Sequence, residues 1–81
     1  NGVVRNCLIH SFYGFNSDGI DLGEGSSNTL IESCLIHHCT DKGISIGQAS
    51  TAIMHDMTIG HCALGLAVKD QGGAEVDHST F

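Results

Sequence analysis

"RNCLIHS", residues 5–11, returns as "ESCLIHH" at 32–38, as "HDMTIGH" at 55–61 and in part as "DHSTF" at 77–81. The advances are 27, 23 and 22 residues, so the chain is a repeat whose turns differ in length. A second motif follows the first three copies: "GIDLG" at 19–23, "GISIG" at 43–47 and "GLAVK" at 65–69. Superposing the copies stacks like on like. Val4, Ile31, Met54 and Val76 form one column; Cys7, Cys34, Met57 and Ser79 a second; Ile9, Ile36, Ile59 and Phe81 a third. Ile20, Ile44 and Leu66 form a fourth, and Leu22, Ile46 and Val68 a fifth. Asp21, Ser45 and Ala67 stand between the last two columns, giving the alternation of a strand with one buried face. Asp21 and Ser45 are therefore expected to face solvent.

Short alternating strands, glycine-bounded turns and a period in the low twenties predict a solenoid in which each repeat is one coil. Leucine-rich repeats have a similar period but need a leucine and asparagine spacing that is absent. No segment sustains the i, i+3, i+4, i+7 pattern of a helical repeat. What remains is an all-β parallel β-helix, right-handed by the usual crossover rule. It has about three coils, over residues 1–27, 28–50 and 51–73, with a fourth beginning at 74–81. Equivalent residues in successive coils should lie about 4.8 Å apart, so the aliphatic columns fill a narrow interior. Asn6, Ser33, Asp56 and His78 form a polar column just before the second strand of each coil. Their side chains are expected to bond backbone groups of a tight bend. Residues 10–18 form the longest turn and are expected to carry the four extra residues of the first coil.

Composition agrees with a thin, repetitive interior. The 81 residues include 11 glycines, no proline, no tryptophan, one tyrosine and three phenylalanines. The 41% hydrophobic content is carried mostly by aliphatic and sulfur-bearing residues. The chain opens on Asn rather than Met, has no polar cap at either end and holds little more than the usual minimum of about three repeats. It is expected to be a fragment of a longer solenoid, with adjacent β-helix coils as its immediate partners.

The formal charge is −6, and Arg5, Lys42 and Lys69 are the only basic residues. That excludes a phosphate-tracking surface, and nucleic acid is not an expected partner. No apolar run approaches the roughly 18 residues of a membrane span, so none is expected. The acidic balance would also repel a polyanionic sugar chain unless a cation intervened.

"NSDGID" at 16–21, followed by "NTLIESCLIHHCTDKGISI" at 28–46, resembles the pectin-lyase-like superfamily of right-handed parallel β-helices. The closest motif match is to polygalacturonases, glycoside hydrolases with an N-T-D-G-I-D-like stretch in the active site. The resemblance implies a β-helix that binds or processes polysaccharide, in an extracellular, cell-surface or periplasmic setting. Two departures bear on catalysis. Asp41 and Lys42 stand where that family has a pair of aspartates, and Ala63, Leu64 and Gly65 align with its G-H-G motif, which removes the histidine. Inverting hydrolysis needs an acid and a base roughly 6.5–9.5 Å apart, and this pattern does not supply that pair.

The residues offer two constellations. Asp18, Asp41 and Lys42 are the candidate catalytic group, with Asn16, Asp21 and Lys69 as candidate substrate contacts. Such a cleft could hold calcium through two or three carboxylates and use a lysine as base. The bland alternative is that outward Asp and Lys at strand ends are solubilising or ion-paired. His38, Cys39, His61 and Cys62 gather N and S donors on neighbouring coils and are weaker candidates for a metal site. They lack the C-x-x-C or H-x-x-x-H spacing of such sites, and inward cysteines form a small apolar ladder equally well.

Three functions follow. The first is a polysaccharide-binding or polysaccharide-processing segment that is not catalytically complete in itself. The second is a structural stalk or adhesin segment, and the third a fragment of a polysaccharide hydrolase or lyase completed outside this chain.

Overall fold

The structure, a computed structural model, describes residues 2–81. Ten short strands follow one another in the order β1 (Val3–Arg5), β2 (Leu8–Phe12), β3 (Ile20–Leu22), β4 (Thr29–Glu32), β5 (Leu35–Cys39), β6 (Lys42–Ile46), β7 (Thr51–His55), β8 (Thr58–Gly60), β9 (Leu64–Val68) and β10 (Gly73–Asp77). Every third strand pairs in parallel. Three sheets result, β1-β4-β7-β10, β2-β5-β8 and β3-β6-β9, and they form the walls of a solenoid.

The registers reproduce the repeat. Val4 faces Ile31, Ile31 faces Met54 and Met54 faces Val76, which are the advances of 27, 23 and 22 residues seen in the sequence. Ile9–Ile36–Ile59, Ile20–Ile44–Leu66 and Leu22–Ile46–Val68 stack likewise. Ile31, Ile36, Ile44, Ile46, Met54 and Met57, all from the middle coils, are almost completely buried. Val4, Ile20 and Leu66, each on the first or last strand of its sheet, are only partly covered, because a column is closed from both sides only where a strand lies above and below it.

The long turn is distributed differently from the sequence expectation. Ile9 to Ile20 spans three residues more than Ile36 to Ile44, so the turn between β2 and β3 takes three of the four extra residues. Ile20 to Ile31 spans one more than Ile44 to Met54, so the fourth lies in the turn after β3.

The polar column before the second strand has a different cause from the one expected. Asn6, Ser33, Asp56 and His78 all have left-handed backbone, with φ of 54°, 53°, 56° and 47°. The bend is closed by the main chain, Asn6 N–H donating to the Glu32 carbonyl at 3.2 Å and Ser33 N–H to that of His55 at 3.1 Å. Among the described residues their side chains supply no rung between coils. Short polar side chains and histidine tolerate this conformation better than most L-residues, and β-branched ones worst. The column therefore records backbone handedness.

Glycine has a specific place at the next corner. Gly43 pairs with Gly65 in the register of β6 and β9, and Gly19 precedes β3 at the same level. A Cβ on Gly43 would lie 2.5 Å from Ile59 Cγ2 and 2.8 Å from the Gly65 carbonyl oxygen. One on Gly19 would lie 2.7 Å from Ile36 Cγ2 and 2.7 Å from the Gly43 carbonyl oxygen. The β2-β5-β8 wall fills that space with isoleucine, so the β3-β6-β9 wall must approach without side chains.

Candidate functional site

The outer face of β3-β6-β9 bounds a groove of about 510 Å³. It follows from the alternation in "GIDLG" and "GISIG". Ile20 and Leu22, then Ile44 and Ile46, turn inward, leaving Asp21 and Ser45 on the other side of the wall. Asp18, Asp21, Ser45 and Lys69 all line the groove, so the structure brings together four residues spread over 51 positions of sequence. Ser45 does not face open solvent as expected. It is 3% exposed, with Asp21 as its register partner in one neighbouring coil and Ala67 in the other.

The sequence reading missed the groove's second rim. Glu24, Gln48 and Asp70 follow the repeated motif at one level of the stack, each with positive φ, and all three line the groove. Gln48 ties two coils together, its side-chain carbonyl accepting from Glu24 N–H at 2.8 Å. The signal was present, because this column, just beyond the glycine-bounded strand, is polar in all three coils.

Asp18 also has a structural task. Its Oδ1 accepts a hydrogen bond from the backbone N–H of Lys42 at 3.0 Å, joining the entry of β6 to the turn before β3. Lys42 Nζ donates to Asp41 Oδ2 at 2.9 Å. That bond, with the negative charges of Asp41, Asp18 and Asp21, holds the ammonium above its ordinary pKa. A general base needs the opposite shift. Asp41 and Lys42 lie beside the groove rather than among its lining residues, and Asn16 lies in the preceding turn with φ of 54°.

The sulfur and imidazole donors are separated by the wall. Cys39 is 3% exposed and belongs to the core, with Cys62 packed against it, whereas His38 and His61 are exposed. Burial, and then the neighbouring Cys62 thiol, push Cys39 up to about 11, so it stays a protonated thiol at neutral pH. All four cysteines are free. Among the described residues, no three His, Cys, Asp or Glu side chains converge as a metal-ligand set. Cys39 and Cys62 pack into the core while His38 and His61 stand outside it, so these four donors do not share one coordination sphere.

The histidines form an outer ladder instead. His10 stacks on His37 with ring centroids 4.9 Å apart, and His38 on His61 at 4.6 Å. His37 Nδ1 and His38 Nδ1 are 2.7 Å apart, so one proton bridges the two stacks. Desolvation, then the charges of His38, His10 and His61, lower the pKa of His37. The folded chain thus takes up this proton less readily than the unfolded chain. The stabilisation is fully present above the ordinary value near 6.5 and is lost as pH falls below it. Thermal melts should show Tm falling between about pH 7 and pH 5, with a shallower fall in His37→Gln. An unchanged slope in that variant would remove the ladder as the cause.

A second ladder runs along β1-β4-β7-β10, where Arg5, Glu32, His55 and Asp77 are successive register partners. Arg5 Nε donates to Glu32 Oε1 at 2.8 Å, and His55 Nε2 lies 3.3 Å from Glu32 Oε2. The Arg5 hydrogen bond chiefly holds the Glu32 carboxyl below its usual range. The column beside Val4–Ile31–Met54–Val76 carries this alternation of charge in the sequence, yet it becomes legible only once the strands are known to pair in parallel.

A solenoid of three parallel sheets, with a polar groove outside one wall and an aliphatic interior, defines a β-helix. The family described as right handed beta helix region matches residues 1–81, the whole chain, and the chain belongs to it. No curated protein and no solved structure matches it significantly. Among the described residues no helix is long and apolar enough to cross a membrane.

Proposed function

We propose that this β-helix segment binds polysaccharide along the β3-β6-β9 face, as part of an extracellular or surface protein, and does not carry out bond cleavage by itself. The observation behind this reading is the groove itself. It offers carboxylate, hydroxyl, amide and ammonium groups on three successive coils, a row of hydrogen-bonding groups at the strand spacing of about 4.8 Å. That interval is close to the length of one pyranose unit. Lys42 Nζ is held by Asp41, which keeps the ammonium protonated and unsuited to act as a base, and Asp18 Oδ1 is engaged by the Lys42 backbone. A second reading, a structural stalk, draws support from the inter-coil charge ladder Arg5–Glu32–His55–Asp77, which serves stacking and touches no groove.

The test is an amide-shift titration with soluble neutral, acidic and amine-bearing oligosaccharides, alongside assays for reducing ends and unsaturated products. Shifts confined to residues 18–26, 45–48 and 67–70 with no product are expected. The reading fails if no glycan binds, if shifts fall on the other two walls, or if product accumulates.

A further inference from the structure

His37 and His38 are neighbours in the chain, and strict alternation along β5 would send their rings to opposite sides of the wall. They meet on the outside instead. His38 has left-handed backbone, with φ of 56°, as do Ser11 in the preceding coil and His61 in the next, with φ of 65° and 54°. That twist brings the His38 ring round to His37. The two rings stand edge to face with centroids 4.9 Å apart, and their Nδ1 atoms are 2.7 Å apart. His10 stacks on His37 and His61 on His38, so the pair is held between two further imidazoles.

Two nitrogens at this separation match a cis chelate. Imidazole nitrogens about 2.0 Å from a metal ion lie about 2.8 Å from each other at a right angle and about 3.3 Å at the tetrahedral angle. The observed 2.7 Å fits the right angle. One ring now donates its Nδ1 hydrogen to the other. By exchange with water it can carry that hydrogen on its own Nε2, which frees both lone pairs with no net release of protons. His38 is exposed and His37 half-buried, so the rings can turn toward a point off the line between the nitrogens. Strands β2, β5 and β8 carry no lysine or arginine, and the net charge of −6 favours a cation. One coil away the same corner sets Ser11 Oγ 2.8 Å from His10 Nδ1, with a hydroxyl in place of the second imidazole.

We infer that His37 and His38 form a two-imidazole chelate for a divalent transition-metal ion that favours right-angled coordination, nickel(II) or copper(II), with water in the remaining positions. Among the described residues no third side chain joins them, so the site is open. Calcium and magnesium, which take oxygen ligands, are not its ions. Neither histidine lines the polar groove, and the site is independent of the polysaccharide reading.

The probe is nickel(II) chloride, titrated by calorimetry into the full chain at about pH 7.5, above the ordinary histidine value. Nickel is chosen over copper because copper(II) would oxidise free thiols, and all four cysteines are free. One ion should bind per chain, with paramagnetic broadening centred on the ring protons of His37 and His38, and calcium should give no heat. His37→Gln and His38→Asn should each weaken binding at least about tenfold, since even outer-shell partners of a metal are worth that much. Asparagine is used at 38 because it tolerates left-handed backbone. His10→Gln and Cys7→Ser should change affinity less than about threefold, because neither residue supplies one of the two converging nitrogens. Melts establish that each variant is folded, and the broadening pattern tests the assignment in the unaltered chain without any substitution. The chelate is overturned by absence of nickel binding, by broadening centred elsewhere, or by unchanged affinity in both His37→Gln and His38→Asn. A loss in His10→Gln or Cys7→Ser as large as in those two variants overturns it equally.

Discussion

Gly43→Ala should be the most damaging single-methyl change in this chain, costing about 3 kcal/mol or more and lowering Tm by more than about 10 °C. The new Cβ would sit 2.5 Å from Ile59 Cγ2 and 2.8 Å from the Gly65 carbonyl oxygen. The first contact can ease by side-chain movement. The second is to backbone that also pairs β6 with β9, so relief there opens the sheet. Adding Ile59→Ala to Gly43→Ala should therefore fail to restore stability, because it leaves the carbonyl contact and removes a core side chain. Gly60 is the control, since nothing lies within 4 Å of a Cβ built there. Gly60→Ala should leave Tm unchanged or raise it slightly by reducing unfolded-chain entropy. Equal Tm values for the Gly43 and Gly60 variants would show that the β3-β6-β9 corner is not packed as described.

Ile44→Ala should cost about 2–5 kcal/mol, the usual range for truncating a fully buried aliphatic side chain. Ile44 is 0% exposed, with Ile20 stacked in one neighbouring coil and Leu66 in the other. These neighbours are held by their own ladder hydrogen bonds and cannot collapse into the space left. Leu66→Ala removes as many carbon atoms from the next coil of the same column, where the side chain is only partly buried. Its cost should be about half as large, in proportion to the apolar area it keeps from water. Urea unfolding of both variants checks this. Equal losses would mean that the last strand of this wall is as closed as the middle one.

The same stacking explains why so much of the fold was legible. In a solenoid each contact is made with an equivalent residue one repeat away, so Val4–Ile31–Met54–Val76 can be read by alignment alone. The glycine corner is less direct. "GI" recurs at 19–20 and 43–44, but only the position of Ile36 and Ile59 across the interior explains why a methyl group cannot enter. The polar bend column was visible as a pattern, while its cause, left-handed φ at Asn6, Ser33 and Asp56, lies in the backbone path.

The groove was legible in part. Alternation placed Asp21 and Ser45 on the outer side of the wall, and motif likeness drew attention to Asp18. Glu24, Gln48 and Asp70 were overlooked because turn residues carry no strand alternation to mark their direction. Pairing of His38 with His61 and of Cys39 with Cys62 was correct as register. A repeat, however, gives only level in the stack, and adjacent residues of one strand end on opposite sides of a wall.

By itself, then, the sequence determined the architecture: parallel strands, coil lengths and inward columns, because a period and an alternation are properties of order along a chain. Tertiary structure alone decided the chemistry of the surface. It bonded Asp18 to the Lys42 backbone, closed Asp41 onto Lys42, sealed Cys39 in the core and covered Ser45 in the groove floor. Those outcomes depend on distances of about 3 Å between side chains of different coils, which a one-dimensional repeat does not encode.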